Sequence, residues 1–322
     1  MKPGQTEVAM YRFILRRIGQ SIVVLFIVSV LVFSMMRWIP GDPVVVLLGD
    51  EYSPEAHARL QQQLGLDKPI VIQYLIWIRN IFQGDFGYSY INHTPVSSLL
   101  YDAMLPTLSL VMGTLIVGVL IALPSGMLAA VKRDSALDYF SMGFAIVGYS
   151  MPSFWKGILL IWLFAVTLRW FPSMGYIHPW ENPGEGLWRL ALPSLTLGTF
   201  FAGLVARITR SSLLEVLEQD YIKAARAKGV RQMALVYKHA LRNALIPVIT
   251  VIGLQFGTLL GGAVLTETVF NIPGMGRLTV TAIFNREYHV VQGAVLIGVV
   301  FVIVVNLLVD IAYAFLNPKI RY

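Results

Sequence analysis

The chain has 322 residues, of which 56% are hydrophobic and 13% charged, with a net charge of +7 and no cysteine. Soluble domains carry about 25% charged residues, so this is the composition of a polytopic membrane protein and not of a soluble catalytic domain. The missing cysteines exclude disulfides, thiolate catalysis and cysteine-ligated zinc or iron–sulfur sites, and the basic residues, lying mostly in loops, mark membrane orientation rather than nucleic-acid binding.

In chain order, a short N-terminal segment (1–11) leads to Arg12, Arg16 and Arg17 and the uncharged run Ile18–Met36, which ends in Arg37-Trp38-Ile39-Pro40. The flanks resemble a signal peptide. No small-x-small cleavage site follows, so a retained first span over 12–39 is predicted. Residues 40–101 form a small helical insert outside the membrane. Ser53-Pro54 supplies an N-cap and a first-turn proline, and Gly65 closes that helix. A second helix is predicted from Ile70 to Gln83, with Ile70, Tyr74, Ile78, Ile81 and Phe82 near one face and Gly84 as the stop. Tyr74 and Trp77 are placed at headgroup level, with the insert lying on the outer surface of the spans.

Further spans are predicted over 102–131, 139–168, 190–212, 243–266 and 288–314. The connecting segments are 132–138, 169–189, 213–242 and 267–287, with a tail at 315–322. The third span is interrupted by Pro152 and carries Lys156. It reads as one broken span or as a span plus a re-entrant piece; two full spans would invert everything after it. With six spans and both termini inside, sixteen Lys and Arg fall on inside segments and eight on outside ones, leaving Lys156 unassigned. The positive-inside rule therefore puts both termini and the 207–242 loop in the cytoplasm.

Enzymatic signatures are missing. The chain contains no P-loop, no H-E-x-x-H, no Gly-x-Ser-x-Gly elbow and no third glycine after Gly274-x-Gly276, which reads as a turn following Pro273. The histidines are scattered. The chain is predicted to be no enzyme and to hold no cofactor or metal of its own. A secondary transporter would need a midplane pair of carboxylates, and none is visible.

The 207–247 segment is the most informative. Ser212 and Glu215 have capping-box spacing, or the segment simply continues the fourth span. Leu214, Leu217, Tyr221 and Ala225 recur at helical spacing and define one apolar face. Gly229 suits a left-handed turn, and Val230, Met233, Tyr237, Ala240 and Leu241 pattern a second amphipathic helix. A basic loop meeting anionic lipid is the plain alternative. Asp220, Glu218 and the small pair Ala224-Ala225 favour a groove on a protein partner.

Lys223-Ala224-Ala225-x-x-x-Gly229 resembles the E-A-A-x-x-x-G coupling loop of bacterial ABC-importer permeases. Asp220–Gly229, His239-Ala240-Leu241-Arg242-Asn243-Ala244-Leu245-Ile246-Pro247, Pro40-Gly41-Asp42-Pro43, Leu64-Gly65-Leu66-Asp67-Lys68-Pro69, Gly84-Asp85-Phe86-Gly87, Leu265–Phe270, Pro273-Gly274-Met275-Gly276 and Asn306–Asp310 are similar to the dipeptide/oligopeptide/nickel branch, over about residues 11 to 322. Two departures stand out: Lys223 replaces the family's first Glu, and Leu241-Arg242 stands where many importers have Leu-Pro. Both are usual in the peptide branch.

The resemblance implies an all-α fold with six transmembrane helices of the ABC-importer permease type and a cytoplasmic coupling-helix loop. It implies a bacterial inner-membrane location and import of di- or oligopeptides by alternating access, with nickel chelates, opines, glutathione or oligosaccharides as alternatives. The implied partners are a second homologous permease forming a heterodimer, two cytoplasmic ATPases that hold the ATP and magnesium, an extracytoplasmic substrate-binding protein and membrane lipid, with no nucleic acid. Asp220, Lys223, Ala224, Ala225 and Gly229 are the coupling residues. Glu267, Asn306, Asp310 and Lys156 are the gate or packing candidates. Glu267 reads as a loop-fixing group ahead of an outer gate. Asn306 and Asp310, one turn apart, read as bonded to neighbouring helices. Lys156 reads as snorkelling to a headgroup ahead of lining the pathway. Arg277 and Arg286 are placed to face the binding protein.

Overall fold

A computed structural model describes residues 3–38, 43–48, 52–63 and 65–316. Lys2, Pro40-Gly41-Asp42, Leu64, Lys319 and Arg321 lie outside the described residues, as does the side chain of Asp310. In chain order the helices are α1 (Pro3–Trp38), α2 (Pro43–Leu48), α3 (Pro54–Gln63), α4 (Ile70–Phe82), α5 (Val96–Val131), α6 (Ala136–Ser150) and α7 (Ser153–Leu160). A π-helical stretch, Ile161–Thr167, extends α7. Then come α8 (Pro183–Leu217), α9 (Asp220–Ala227), α10 (Gln232–Ala234), a second π stretch (Leu235–Ala240), α11 (Leu241–Phe270), α12 (Met275–Phe284) and α13 (Tyr288–Leu316). Among the described residues five helices are long and apolar enough to cross a membrane, six when α6 and the α7 segment count as one broken span.

The chain divides into two compact units. One comprises Met1–Ile18, Met104–Arg277 and Val302–Tyr322, the other Gly19–Ala103 and Leu278–Phe301.

In the first unit α8 is the central column. Over 61% of its most apolar window it is buried, against 33% for the corresponding window of α5. Asn182 caps it, accepting from the Glu185 N–H at 3.2 Å, and Pro183 sits in the first turn, where its missing N–H costs nothing. Helices α6 and α11 pack along α8. Small residues set the approach: a Cβ on Gly203 would run into the Ala145 carbonyl of α6, and one on Gly126 of α5 into the Ala206 carbonyl of α8. Phe201, Val205 and Val248 fill the middle of this core. The α6–α7 pair is bent by 108° at Met151-Pro152. Pro152 has no N–H to continue the ladder and pushes Met151 to an extended ψ of 131°.

In the second unit α4 lies on the first-span helix. The Tyr74 hydroxyl and Ser29 Oγ are 2.7 Å apart, and Phe33 packs against the rings of Tyr74 and Trp77. Tyr74 and Trp77, expected at headgroup level, both face the first-span helix. Ser53 accepts from the Ala56 N–H at 3.1 Å, and Gly65 and Gly84 take left-handed φ values of 66° and 81° after α3 and α4. The insert is not wholly helical. Tyr88–Ser89 and Thr94–Pro95 form an antiparallel pair. Glu287, nearly buried, holds that hairpin by accepting from Ser89 Oγ at 2.5 Å and the Ile91 N–H at 3.1 Å.

Two further expectations are corrected, and one pair of alternatives is decided. Ser212-x-x-Glu215, whose capping-box spacing could also belong to a continuing fourth span, does continue it: α8 runs unbroken from Pro183 to Leu217. Ser212 Oγ instead donates to the Ala244 carbonyl at 2.9 Å. The second amphipathic helix is not a separate element. It starts at Gln232 and continues as one 39-residue helix to Phe270. The turn read at Gly274-x-Gly276 opens α12.

Candidate functional site

Eight residues make an isolated helix marginal, so α9 must be held by its contacts. Ile222 provides the main one. Its side chain is fully buried in a cluster with Leu213 of α8, Leu235, Val236 and Ala240 of the π stretch, and Ala244 of α11. Ala225 and Val230 complete the bed as half-buried residues. Tyr221 stays exposed, and its hydroxyl accepts from Asn243 Nδ2 at 2.8 Å. The apolar face read across Leu214, Leu217, Tyr221 and Ala225 therefore spans two helices, and the residue that anchors α9 is Ile222. A break after Leu217 shifts the helical phase, which sequence spacing alone does not reveal.

The opposite surface of α9 is bare. Lys223, Ala224, Arg226, Ala227 and Lys228 are exposed, and Gly229 turns the chain with φ +79°. Lys223 pairs with Asp220 at 3.1 Å, both side chains solvent-facing, so this contact adds little. The result is a short helix with a small-residue, basic outer face, pinned underneath by one aliphatic side chain.

Glu267 sits near the far end of the same long helix, about 35 Å from Ala244 at 1.5 Å per residue. It is fully buried. Thr107 Oγ1 donates to Oε1 at 2.6 Å, and the Arg277 N–H donates to Oε2 at 2.9 Å, with the Gly276 N–H also directed at the carboxylate. Thr107 in turn accepts from the Met275 N–H at 2.8 Å. The first N–H groups of α12 thus find partners on one carboxylate and one hydroxyl. Glycine is required here: a Cβ on Gly274 would fall inside the carboxylate, and one on Gly276 would meet Val264 Cα at 2.6 Å. Glu267 is a loop-fixing group with its oxygens committed inward.

Lys156 is 7% exposed, and its Nζ donates to the Gly148 carbonyl at 2.8 Å. That carbonyl is left open by the bend at Pro152, so the ammonium closes the C-terminal end of α6. The snorkelling assignment is corrected accordingly. Asn306 is exposed on α13.

One buried ion pair escaped sequence reasoning. Asp138, 2% exposed, receives Arg210 Nε at 2.8 Å and Nη2 at 2.6 Å, a bidentate fork, and the Asp134 N–H at 3.1 Å. It joins the start of α6 to α8. The available signal was the Ser135-x-x-Asp138 capping spacing ahead of an apolar helix: Ser135 Oγ accepts from the Asp138 N–H at 3.4 Å. Thr107 gave no comparable signal. Among the described residues no group of His, Asp and Glu is arranged to hold a metal ion.

Residues 122–322 match the family described as binding-protein-dependent transport system inner membrane component, and residues 10–111 match the model of that component's N-terminal region. The dipeptide transport system permease protein DppB of Escherichia coli (strain K12) is 43% identical, over 97% of this chain and 99% of its own length. A protein of Brucella abortus (strain 2308) named for a peptide transport system permease is 44% identical over 97% of this chain and all of its own. Among solved structures, an inward-facing MetNI methionine ABC transporter chain superposes with a TM-score of 0.58 at 22% identity, covering 68% of this chain and 96% of that one, a likeness of fold. The chain belongs to the family of binding-protein-dependent transport system inner membrane components.

Proposed function

We propose that this chain is one permease subunit of an ATP-driven importer that carries di- or oligopeptides across a bacterial inner membrane. The peptide branch is favoured by the relatives of near-equal length, which bear dipeptide and peptide transport names. In this reading α9 docks in a groove on a cytoplasmic ATPase, with Ala224 allowing close backbone approach and Lys223 and Lys228 at the rim. Both termini are cytoplasmic. A second, homologous permease supplies the other half of the pathway and the other docking helix, and an extracytoplasmic binding protein delivers substrate. ATP and magnesium reside on the ATPases.

The observation that carries the reading is the two-sided character of α9: bare outside, and anchored inside by Ile222 to two long helices. A partner that displaces α9 pulls on α8 and on the 39-residue helix together. Alternating access needs only that the docked helix favour different positions in the two states. The test is uptake of labelled dipeptide by proteoliposomes containing this chain, its homologous permease, the two ATPases and the binding protein. Accumulation that requires ATP supports the proposal. Uptake that proceeds without ATP and follows an ion gradient refutes it.

A further inference from the structure

Helix α4 turns its uncharged polar residues inward and leaves an apolar face, interrupted only by Arg79, exposed. Gln73, Tyr74, Trp77 and Asn80 fall on the half of the helix turned toward the rest of its unit. The outer half presents Val71, Leu75 and Phe82, which are 66%, 59% and 87% exposed, with Ile72 and Ile76 beside them. A water-facing helix has the opposite arrangement. At 13 residues α4 is about 20 Å long, too short to cross a hydrocarbon core of about 30 Å.

We infer that the outer face of α4 is a lipid-contacting surface, with the helix lying in the boundary between headgroups and acyl chains and serving as an in-plane anchor of the 40–101 insert. Continuity is the first argument. The Ser29–Tyr74 and Phe33–Trp77 contacts seat α4 directly on the first-span helix, whose Ile22, Phe26 and Leu31 are themselves exposed as a spanning helix exposes side chains to lipid. The outer face of α4 prolongs that surface. Charge placement is the second. The helix has one charged residue, Arg79, in its last turn, where the guanidinium can reach a phosphate while its stem lies along apolar surface, and Lys68 stands just before its start. Backbone satisfaction is the third. The Gln83 N–H returns to the Arg79 and Asn80 carbonyls, so the C-terminal end of α4 leaves fewer orphan groups, and Gln73 Nε2 satisfies the Leu66 and Lys68 carbonyls of the turn before the helix at 3.1 and 2.6 Å. The inference depends on the span assignment of α1 and not on which solute is carried.

The lack of native cysteine makes the test direct. Val71→Cys and Leu75→Cys replace outward side chains, and Glu55→Cys on α3 is the aqueous reference. Each full-length variant is purified with the subunits that co-elute with it and placed in phospholipid nanodiscs. Reaction with a charged maleimide is expected at least tenfold slower at 71 and 75 than at 55. A bimane attached at 71 or 75 is expected to be quenched by lipids brominated near the top of the acyl chain. Rates equal to that of Glu55→Cys overturn the inference by placing the face in water. Slow labelling without bromolipid quenching also overturns it, because a second protein subunit then covers the face.

Discussion

Truncation of Ile222 to Ala tests whether α9 transmits movement or merely presents a surface. Ile222 is fully buried among Leu213, Leu235, Val236, Ala240 and Ala244. The change removes three carbons, worth about 2.4 kcal/mol in transfer at 0.8 kcal/mol per methylene, and buried Ile→Ala changes span about 2–5 kcal/mol once the cavity is counted. A value near 3 kcal/mol raises the population of detached α9 by about two powers of ten. The outer face, with Lys223 and Ala224, is untouched, so ATPase association is expected to persist while uptake per ATP hydrolysed falls at least tenfold. Hydrogen exchange at the α9 amides is expected to rise by a similar factor. Tyr221→Phe loses only the Asn243 hydrogen bond, about 1 kcal/mol, and is expected to show a small effect. Ile222→Ala with unchanged coupling ratio and unchanged exchange would refute transmission through this contact.

Ala224→Asp places a carboxylate on the exposed surface of α9 without entering its bed, and is expected to release the ATPases from the purified complex while the chain still inserts; retention of ATPases with normal uptake contradicts the docking assignment. Glu267→Ala strands the Thr107 hydroxyl and the N–H groups that open α12, at about 1–3 kcal/mol each, and Gly274→Ala is expected to give a comparable loss of thermal stability by forcing a methyl group into the carboxylate. Asp138→Asn or Arg210→Met alone is expected to cost about 1–3 kcal/mol, measured as a fall in midpoint temperature, because each leaves the other partner without its charge-assisted hydrogen bonds. Lys156→Met keeps the stem and removes the bond to Gly148; it is expected to loosen the bend at Pro152, read as faster labelling of a cysteine placed at the exposed Tyr149.

The spans were legible because lipid imposes a demand that composition cannot hide: long uncharged runs. Their ends were not. Charge marks where a helix leaves the apolar phase and says nothing about where its hydrogen bonds stop, so α8 starts seven residues before the predicted Leu190 and ends at Leu217, past a capping pattern that is not a cap. For the same reason the second amphipathic segment reads as separate from the fifth span, with which it forms one helix. On α4 the period was visible, but periodicity alone does not say which face turns inward; the groups that need partners, Tyr74 and Gln73, are the ones that turn toward protein.

Charged residues within apolar segments show the same logic from the energetic side. From sequence Lys156 reads as an isolated charge, for which a pathway role or an escape to the surface are the natural alternatives, Asp138 goes unnoticed, and Glu267 reads as a loop-fixing group. All three stand at a discontinuity of the backbone: Lys156 after the Pro152 bend, Asp138 in the first turn of α6, Glu267 against the start of α12. A helix end in a water-poor setting leaves N–H or C=O groups whose desolvation costs several kcal/mol each. One charge of matching sign can satisfy two or three of them and is itself stabilised by them, so both penalties fall together. Proline, serine or glycine a few residues away is the sequence mark of the break: Pro152 before Lys156, Ser135 before Asp138, Gly274 and Gly276 opposite Glu267. A charge in a predicted span with such a neighbour is therefore read first as the closure of a helix end, and a transport role has to be argued from an oxygen or nitrogen left over. Glu267 has none to spare on this reasoning, since the contacts that fix the loop engage both of its oxygens.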